Sequence, residues 1–275
     1  MWYNMNMKKG NKYNFKLPDI SELKHLYFAQ KLSISKIANI YKVTNGAVKN
    51  KLNRHGLKLR GFSEAQEIEA NHIKLKKSHI DFINGLLLGD GSLGFAPNKK
   101  SSFYSHTDKH KSYIFWLKKQ FKSMGIPSRN YEEIRMGNKK HRYYHLVSMS
   151  YREFVILKQI WYPDNFKIVP PAILLKPITL FNWYIGDGHY NPPENGKLRG
   201  EQITIAMIFD LEGRKILSEK LNKLKIHNSI HKTCIYIMAN SKKRFFNYML
   251  KSKIDIPSCY RYKFPRRYCY VKESC

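Results

Sequence analysis

Residues 83–91, INGLLLGDG, and residues 180–188, LFNWYIGDG, are two copies of one pattern, an apolar run at helical spacing that ends in Gly-Asp-Gly. A single Gly-Asp-Gly is ordinary turn chemistry, because Asp beside Gly suits many turns. Two of them, each closing an apolar run, say more. Asp90 and Asp187 are 97 residues apart, and each has a lysine at nearly the same distance downstream, Lys167 at 77 residues and Lys263 at 76. Each lysine follows an aromatic residue and precedes a proline, in Phe166-Lys167-Ile168-Val169-Pro170 and Tyr262-Lys263-Phe264-Pro265. Ser150 and Phe154 are echoed by Ser241 and Phe245. A period this long marks a duplicated half-domain, not a solenoid unit.

The flanking sequence predicts one element order for both halves. Ser78 reads as an N-cap with Asp81 three residues on, Ile80, Ile83, Leu86 and Leu87 make the helix apolar, and Gly91 suits its C-terminal turn. Strands are expected over 92–96, 101–106, 129–134 and 142–149, with helices over 112–124 and 152–161. In the second half Pro177 opens the motif helix. Strands follow at 202–208, 227–231 and 235–239, and helices at 211–224 and 241–252. The reading is α+β, two pseudo-twofold related α-β-β-α-β-β-α halves over 78–170 and 171–275, with antiparallel sheets. Residues 61–77, GFSEAQEIEANHIKLKK, read as a linker.

Residues 1–60 form a small all-α domain. Leu23, Leu26, Tyr27 and Leu32 have helical spacing, Ile37, Ile40 and Tyr41 mark a second helix, and residues 47–54 a third with Val48 and Leu52 inward. This is a helix-turn-helix pattern, whose second helix enters the major groove. Its exposed face would carry Asn45, Lys49, Asn50 and Asn53; asparagine reads adenine edges and lysine holds phosphates. The same 60 residues hold 13 basic and two acidic side chains.

Over the whole chain 50 Lys+Arg face 20 Asp+Glu, a formal charge of +30 spread along 275 residues, which favours a polyanionic partner. At 43% hydrophobic and 14% aromatic the chain is globular. No apolar run nears the roughly 20 residues of a membrane span, and MWYNMNMKKG lacks a signal-peptide core, so an intracellular protein is expected. Cys234, Cys259, Cys269 and Cys275 contain no Cys-x-x-Cys pair, and reduced thiols are expected in place of zinc ligands.

If the two apolar helices pack side by side, their C-terminal ends bring Asp90 and Asp187 to one point. Gly85-x-x-x-Gly89 would let the backbones approach, whereas Asn182, Trp183 and Tyr184 fit a close interface poorly. Two carboxylates in close quarters repel unless cations neutralise them. A divalent cation, magnesium or manganese, does so with a few carboxylates, water and phosphate oxygens, and a two-metal arrangement stabilises both attacking and leaving oxygens in phosphodiester cleavage. Lys167 and Lys263 could polarise water or offset charge on the phosphate.

These residues resemble the LAGLIDADG homing endonucleases, in the single-chain form with two motifs. INGLLLGDG is the closer match and LFNWYIGDG the looser one, and the similarity runs from about residue 78 to 265. The resemblance implies a monomer whose two antiparallel sheets form a saddle in the major groove, and which hydrolyses both DNA strands across the minor groove. It implies metal binding by Asp90 and Asp187 with the carbonyls of Gly89 and Gly186, active-site roles for Lys167 and Lys263, and a water-ordering polar residue near His106 or Thr107. Strand alternation nominates Lys100, Ser102, Tyr104, Arg129, Tyr131, Arg142, Arg199, Gln202, Thr204, His231 and Lys232 to face the DNA. Because the halves differ at these places, a long asymmetric target is expected, in the setting of a mobile intron or free-standing element. A group I intron RNA maturase would share the fold and the basic surface. A regulator without nuclease activity would be expected to lose the carboxylates that this chain retains.

Overall fold

A computed structural model describes residues 17–60, 72–97, 99–136, 140–193 and 200–269. The chain divides into two units, Met1–Glu69 and Ala70–Cys275. Most of the expected linker, residues 61–71, lies outside the described residues, as does the nominated Arg199.

In the first unit each helix begins where a short polar side chain satisfies an otherwise orphaned N–H. Asp19 caps α1 (Ile20–Lys24) by accepting the Glu22 N–H at 2.8 Å, and the helix runs on into a wider turn over His25–Ala29. Ser33 caps α2 (Ile34–Ile40) and Thr44 caps α3 (Asn45–Arg54), accepting at 3.3 and 3.2 Å. The Thr44 cap starts α3 two residues before the expected Ala47. The core is Leu23, Tyr27, Ile37, Ala38, Val48 and Leu52, with the Arg60 guanidinium 3.9 Å over the Tyr27 ring. Of the residues that mark α2, Ile37 is buried with Ala38, whereas Ile40 is 58% exposed. Thr44→Ala is expected to cost about 1 kcal/mol of this unit's stability, read as a lower urea midpoint with an unchanged slope.

The first helix of the second unit is α4 (Lys77–Leu88), whose N-cap Lys76 lies two residues ahead of the expected Ser78. Four strands follow with a helix between the pairs: β1 (Ser92–Phe95), β2 (Ser102–Asp108), α5 (Lys111–Ser123), β3 (Ser128–Met136) and β4 (Lys140–Ser148). Helix α6 (Glu153–Trp161) completes the half. The second half is α7 (Pro177–Asp187), β5 (Gly188–Asn191), β6 (Gln202–Ala206), α8 (Leu211–Lys223), β7 (Asn228–Ile230), β8 (Cys234–Ile237) and α9 (Lys242–Leu250). A 3₁₀ segment, Ser258–Lys263, and the short α10 (Arg266–Cys269) follow. The repeated order calls for a strand here, but GHYN carries no apolar alternation to place it; the four-residue β5 forms by pairing with β6.

Each half builds one four-stranded antiparallel sheet, in the orders β1-β2-β4-β3 and β5-β6-β8-β7, the same arrangement twice. One apolar core runs through both halves, including Leu86, Leu87 and Phe121 from the first and Phe181, Trp183 and Phe245 from the second. Among the described residues no helix is long and apolar enough to cross a membrane.

Helices α4 and α7 cross at Gly85, where a Cβ would stand 2.5 Å from the Thr179 carbonyl oxygen and 2.8 Å from Asn182 Cβ. The poor fit expected of the second motif does not arise. Asn182 donates its amide to the Phe82 carbonyl and Thr179 its hydroxyl to the Asp81 carbonyl, both at 3.0 Å, so polar side chains take up a share of two carbonyls in the body of the partner helix. Tyr184 turns away from α4, edge-on to Phe245 and Phe264.

Candidate active site

The two Gly-Asp-Gly ends meet at the end of the α4–α7 contact. A Cβ on Gly89 would lie 3.4 Å from Gly186 Cα, and one on Gly186 would lie 3.3 Å from Gly89 Cα and 3.9 Å from Asp90 Oδ2. The first glycine of each motif is thus where the two Gly-Asp-Gly ends touch, and the aspartate that follows it enters the shared cleft. The second glycine has a different reason. At Gly91 a Cβ would be 2.6 Å from the Tyr104 hydroxyl and 2.7 Å from the Leu86 carbonyl; at Gly188 it would be 2.1 Å from Tyr184 Cδ2 and 2.3 Å from the Tyr184 carbonyl. Both second glycines make room for the chain to turn back against its own helix. They adopt no left-handed backbone, so the expected turn role of Gly91 is one of space, not of φ.

Two lysines close the cleft. Lys167 Nζ donates to the carbonyls of Gly89 (2.7 Å) and Gly91 (2.9 Å), and Lys263 Nζ to those of Ile185 (2.6 Å) and Gly186 (2.8 Å). Each ammonium therefore sits at the negative end of a motif helix, satisfying carbonyls that have no partner within the helix. The carbonyls of Gly89 and Gly186, expected as cation contacts, each carry a lysine bond and keep a second lone pair.

Burial sets the electrostatics. It pushes the Asp187 carboxyl up to about 7, with the Asp90 charge adding to the rise and Lys167 and Lys263 opposing it. It brings both ammonium groups down to about 8, against the pull of the two aspartates. Such a cleft holds groups whose protonation is poised near neutrality, a mark of functional sites. Among the described residues no three His, Cys, Asp or Glu side chains converge to hold a metal. The donors present are two carboxylates and backbone carbonyls, a set that suits magnesium, whose shell is completed by water and phosphate oxygens.

The nominated surface residues divide by strand phase. Pairing of His106 with Leu146 and of Leu93 with Tyr104 fixes the core face of the first sheet. Ser102 and Tyr104 lie on it, both fully buried, so their nomination is corrected: the Ser102 hydroxyl donates to the Gly94 carbonyl (2.8 Å), and the Tyr104 hydroxyl pairs with His106 Nδ1 (3.0 Å). His106 is likewise inside, brought down to about 4 by burial. The opposite face of β2 presents Phe103, Ser105 and Thr107, which the one-residue phase error missed. Arg129 and Tyr131 do lie on that face, joined by Arg135, His141, Tyr143 and His145 through register. Tyr131 stacks on His145 at 4.5 Å, and His145 Nδ1 pairs with Thr107 Oγ1 at 2.9 Å. Arg142 pairs with Ile134 on the other face and bridges to Glu132 at 3.0 Å.

In the second sheet Gln202 and Thr204 share the non-core face with His189, Asn191, Ser229 and Tyr236. His231 and Lys232 are exposed in the β7–β8 turn, and Lys100 is half-buried before β2. In the first unit Asn45, Lys49, Asn50 and Asn53 are all exposed along α3; Asn45 donates its amide to Ser35 Oγ at 3.2 Å.

Comparison with known proteins agrees with this architecture. An uncharacterized protein of Methanocaldococcus jannaschii is 28% identical over 204 residues, 72% of this chain and 76% of the relative. The homing endonuclease I-WcaI, solved bound to its DNA recognition sequence, superposes with a TM-score of 0.59 at 22% identity, over 76% of this chain and 96% of that one. It shares the fold. Residues 80–246 match the sequence profile of the LAGLIDADG DNA endonuclease family, in keeping with the two motif helices, their glycine contacts and the paired sheets, and the chain belongs to that family.

Proposed function

We propose that the protein is a site-specific endonuclease that cuts both strands of a long, asymmetric DNA target across the minor groove, acting as a monomer with a divalent cation. The observation that carries this reading is the single cleft in which Asp90 and Asp187 meet under Lys167 and Lys263. Magnesium or manganese, held by the two carboxylates with help from the free lone pairs of Gly89 and Gly186, would supply Lewis acidity to a scissile phosphate. The lysines fix positive charge beside that phosphate, in a cleft that is partly buried and opens to solvent at Asp90, where it offsets charge developing on the phosphate oxygens. With Nζ poised near pH 8, each can also pass a proton to or from water at working pH.

The non-core sheet faces suit DNA bases and phosphates. Arg129, Tyr131 and Arg135 on one and His189, Gln202 and Thr204 on the other differ in chemistry, which favours an asymmetric sequence. We assign residues 1–60 to a helix-turn-helix that extends the target through Asn45, Lys49, Asn50 and Asn53, residues 61–77 to a linker, and 78–170 and 171–275 to the two repeats. The exposure of those four side chains along one helix supports this. A mobile-intron setting supplies the candidate substrate, the intronless junction.

Asp90→Asn with Asp187→Asn is expected to leave binding to that junction duplex intact, measured at fixed salt, while cleavage drops on the order of 10³-fold or more. Magnesium should raise the melting temperature of the parent and not of the double variant. Cleavage unaffected by both changes would remove the aspartates from the mechanism. A chain that promotes splicing of the intron RNA and cuts no DNA would be a maturase, not a nuclease.

A further inference from the structure

The two lysines are held by different means, and the difference crosses between the halves. Ser258–Lys263 belongs to the second half but packs on the corner between β2 and α5 of the first. Tyr260, 6% exposed, donates its hydroxyl there to Asp108 Oδ2, while Asp108 Oδ1 accepts the His110 N–H at 2.6 Å. The Tyr260 ring meets His110 and Tyr113 edge-on at 5.3 and 4.9 Å. Lys263 Nζ lies 4.7 Å from the centroid of the same ring, within cation–π range. A buried carboxylate needs hydrogen-bond partners; His110 supplies one to Oδ1 from the first half and Tyr260 one to Oδ2 from the second. Only Arg261 and Tyr262 separate Tyr260 from Lys263, and the Tyr184 hydroxyl holds the Lys263 carbonyl at 2.6 Å.

The matching corner of the second half, between β6 and α8, is built otherwise. Phe209 lies 5.7 Å from Lys167 Nζ and has no hydroxyl. Asp210 stays with its own helix, accepting the Gly213 N–H at 2.8 Å. The residue 97 before Tyr184 is Leu87, which also has no hydroxyl.

We propose that Tyr260 and Asp108 are positioning residues for Lys263, a clasp between the halves that one catalytic centre has and the other lacks. This rests on the nuclease reading for its consequence, that the two DNA strands are cut by centres of unequal dependence on the clasp. Tyr260→Phe removes one oxygen and keeps the ring. On supercoiled plasmid carrying the junction, its nicking rate should stay within about 2-fold of the parent while nicked-to-linear conversion slows on the order of 10- to 100-fold, the scale set by small displacements of a catalytic group.

Because that change leaves Asp108 short of a partner, the double variant Asp108→Asn/Tyr260→Phe separates stability from positioning. It removes the buried charge left without that partner, so it should melt above the single variant while keeping the strand-selective defect. Acetylation of each lysine, followed by mass spectrometry on the DNA-free protein, gives a readout independent of cleavage. Lys263 should label several-fold faster in both variants and Lys167 at the parental rate. Equal slowing of both strands, or Lys263 labelling that does not change, overturns the clasp. If the parent protein cuts no DNA at all, the nuclease reading fails and the labelling alone decides the clasp.

Discussion

Lys263→Met is expected to lower DNA cleavage by about 100-fold or more, the effect of deleting one fixed transition-state donor, while leaving the fold as stable as the parent or slightly more so. The stability side follows from burial. Lys263 is 6% exposed and its ammonium is brought down to about 8 from the ordinary 10.5, so the folded state disfavours the charged form by about 3 kcal/mol. This penalty is complete below about pH 8 and gone above about pH 10.5, so the parent gains stability across that window and the methionine variant does not. Against it stand two hydrogen bonds to carbonyls, each worth about 1 kcal/mol or somewhat more to a charged donor. The two nearly offset. Thermal melts of parent and variant at pH 7 and pH 10 test this, and a variant that is much less stable at pH 7 would make Lys263 a structural strut. Function and stability are opposed at this residue, as is common where a site must hold charge out of water.

Gly85→Val should act in the opposite way and damage both. A Cβ at 85 meets the Thr179 carbonyl oxygen at 2.5 Å, Thr179 Cα at 2.8 Å and Asn182 Cβ at 2.8 Å. None of these is the free end of a flexible side chain, so relief requires moving α7 as a body. A loss of roughly 3 kcal/mol is expected, which for a unit of this size lowers the melting temperature by about 6–12 °C. Cleavage should fall below detection at temperatures where the variant is still folded, because parting the helices parts Asp90 from Asp187. Gly186→Ala is the contrast. Its Cβ meets Gly89 Cα at 3.3 Å, a contact that yields with a shift of a few tenths of an ångström, and it should be clearly the milder change. Equal effects would show that Gly85 is not the crossing point.

Spacing made the duplicated order and the meeting of the motif ends legible, because the apolar runs are long and the helical period is strong. Phase within the strands was not. SFYSHTD, residues 102–108, has an aromatic on each face and polar residues on both, so alternation alone does not tell inside from outside. The inward set turned out to be Ser102, Tyr104, His106 and Asp108, a polar row held by hydrogen bonds to Gly94, His106 and Tyr260. A sequence rule that sends polar residues outward fails on such a row. Arg142 was misread for a related reason: near a strand tip both faces are wet, and exposure no longer reports the face. Asn182 was judged by size, whereas its fit rests on one hydrogen bond to Phe82.

The crossing of the lysine segments also bears on how such a chain could be recombined. Lys167 comes from the first half but lies beside Phe209 of the second, and Gly213 of the second leaves only 3.0 Å between a would-be Cβ and Val169 of the first. Lys263 leans in the same way on the first half's Tyr113 and Asp108 through Tyr260. Neither repeat is therefore an interchangeable cassette. A hybrid that joins the first repeat of this protein to the second repeat of a cousin inherits the motif helix it needs but the wrong cradle for each ammonium, unless the two strand–helix corners, 108–110 and 208–210, travel with the lysines they support.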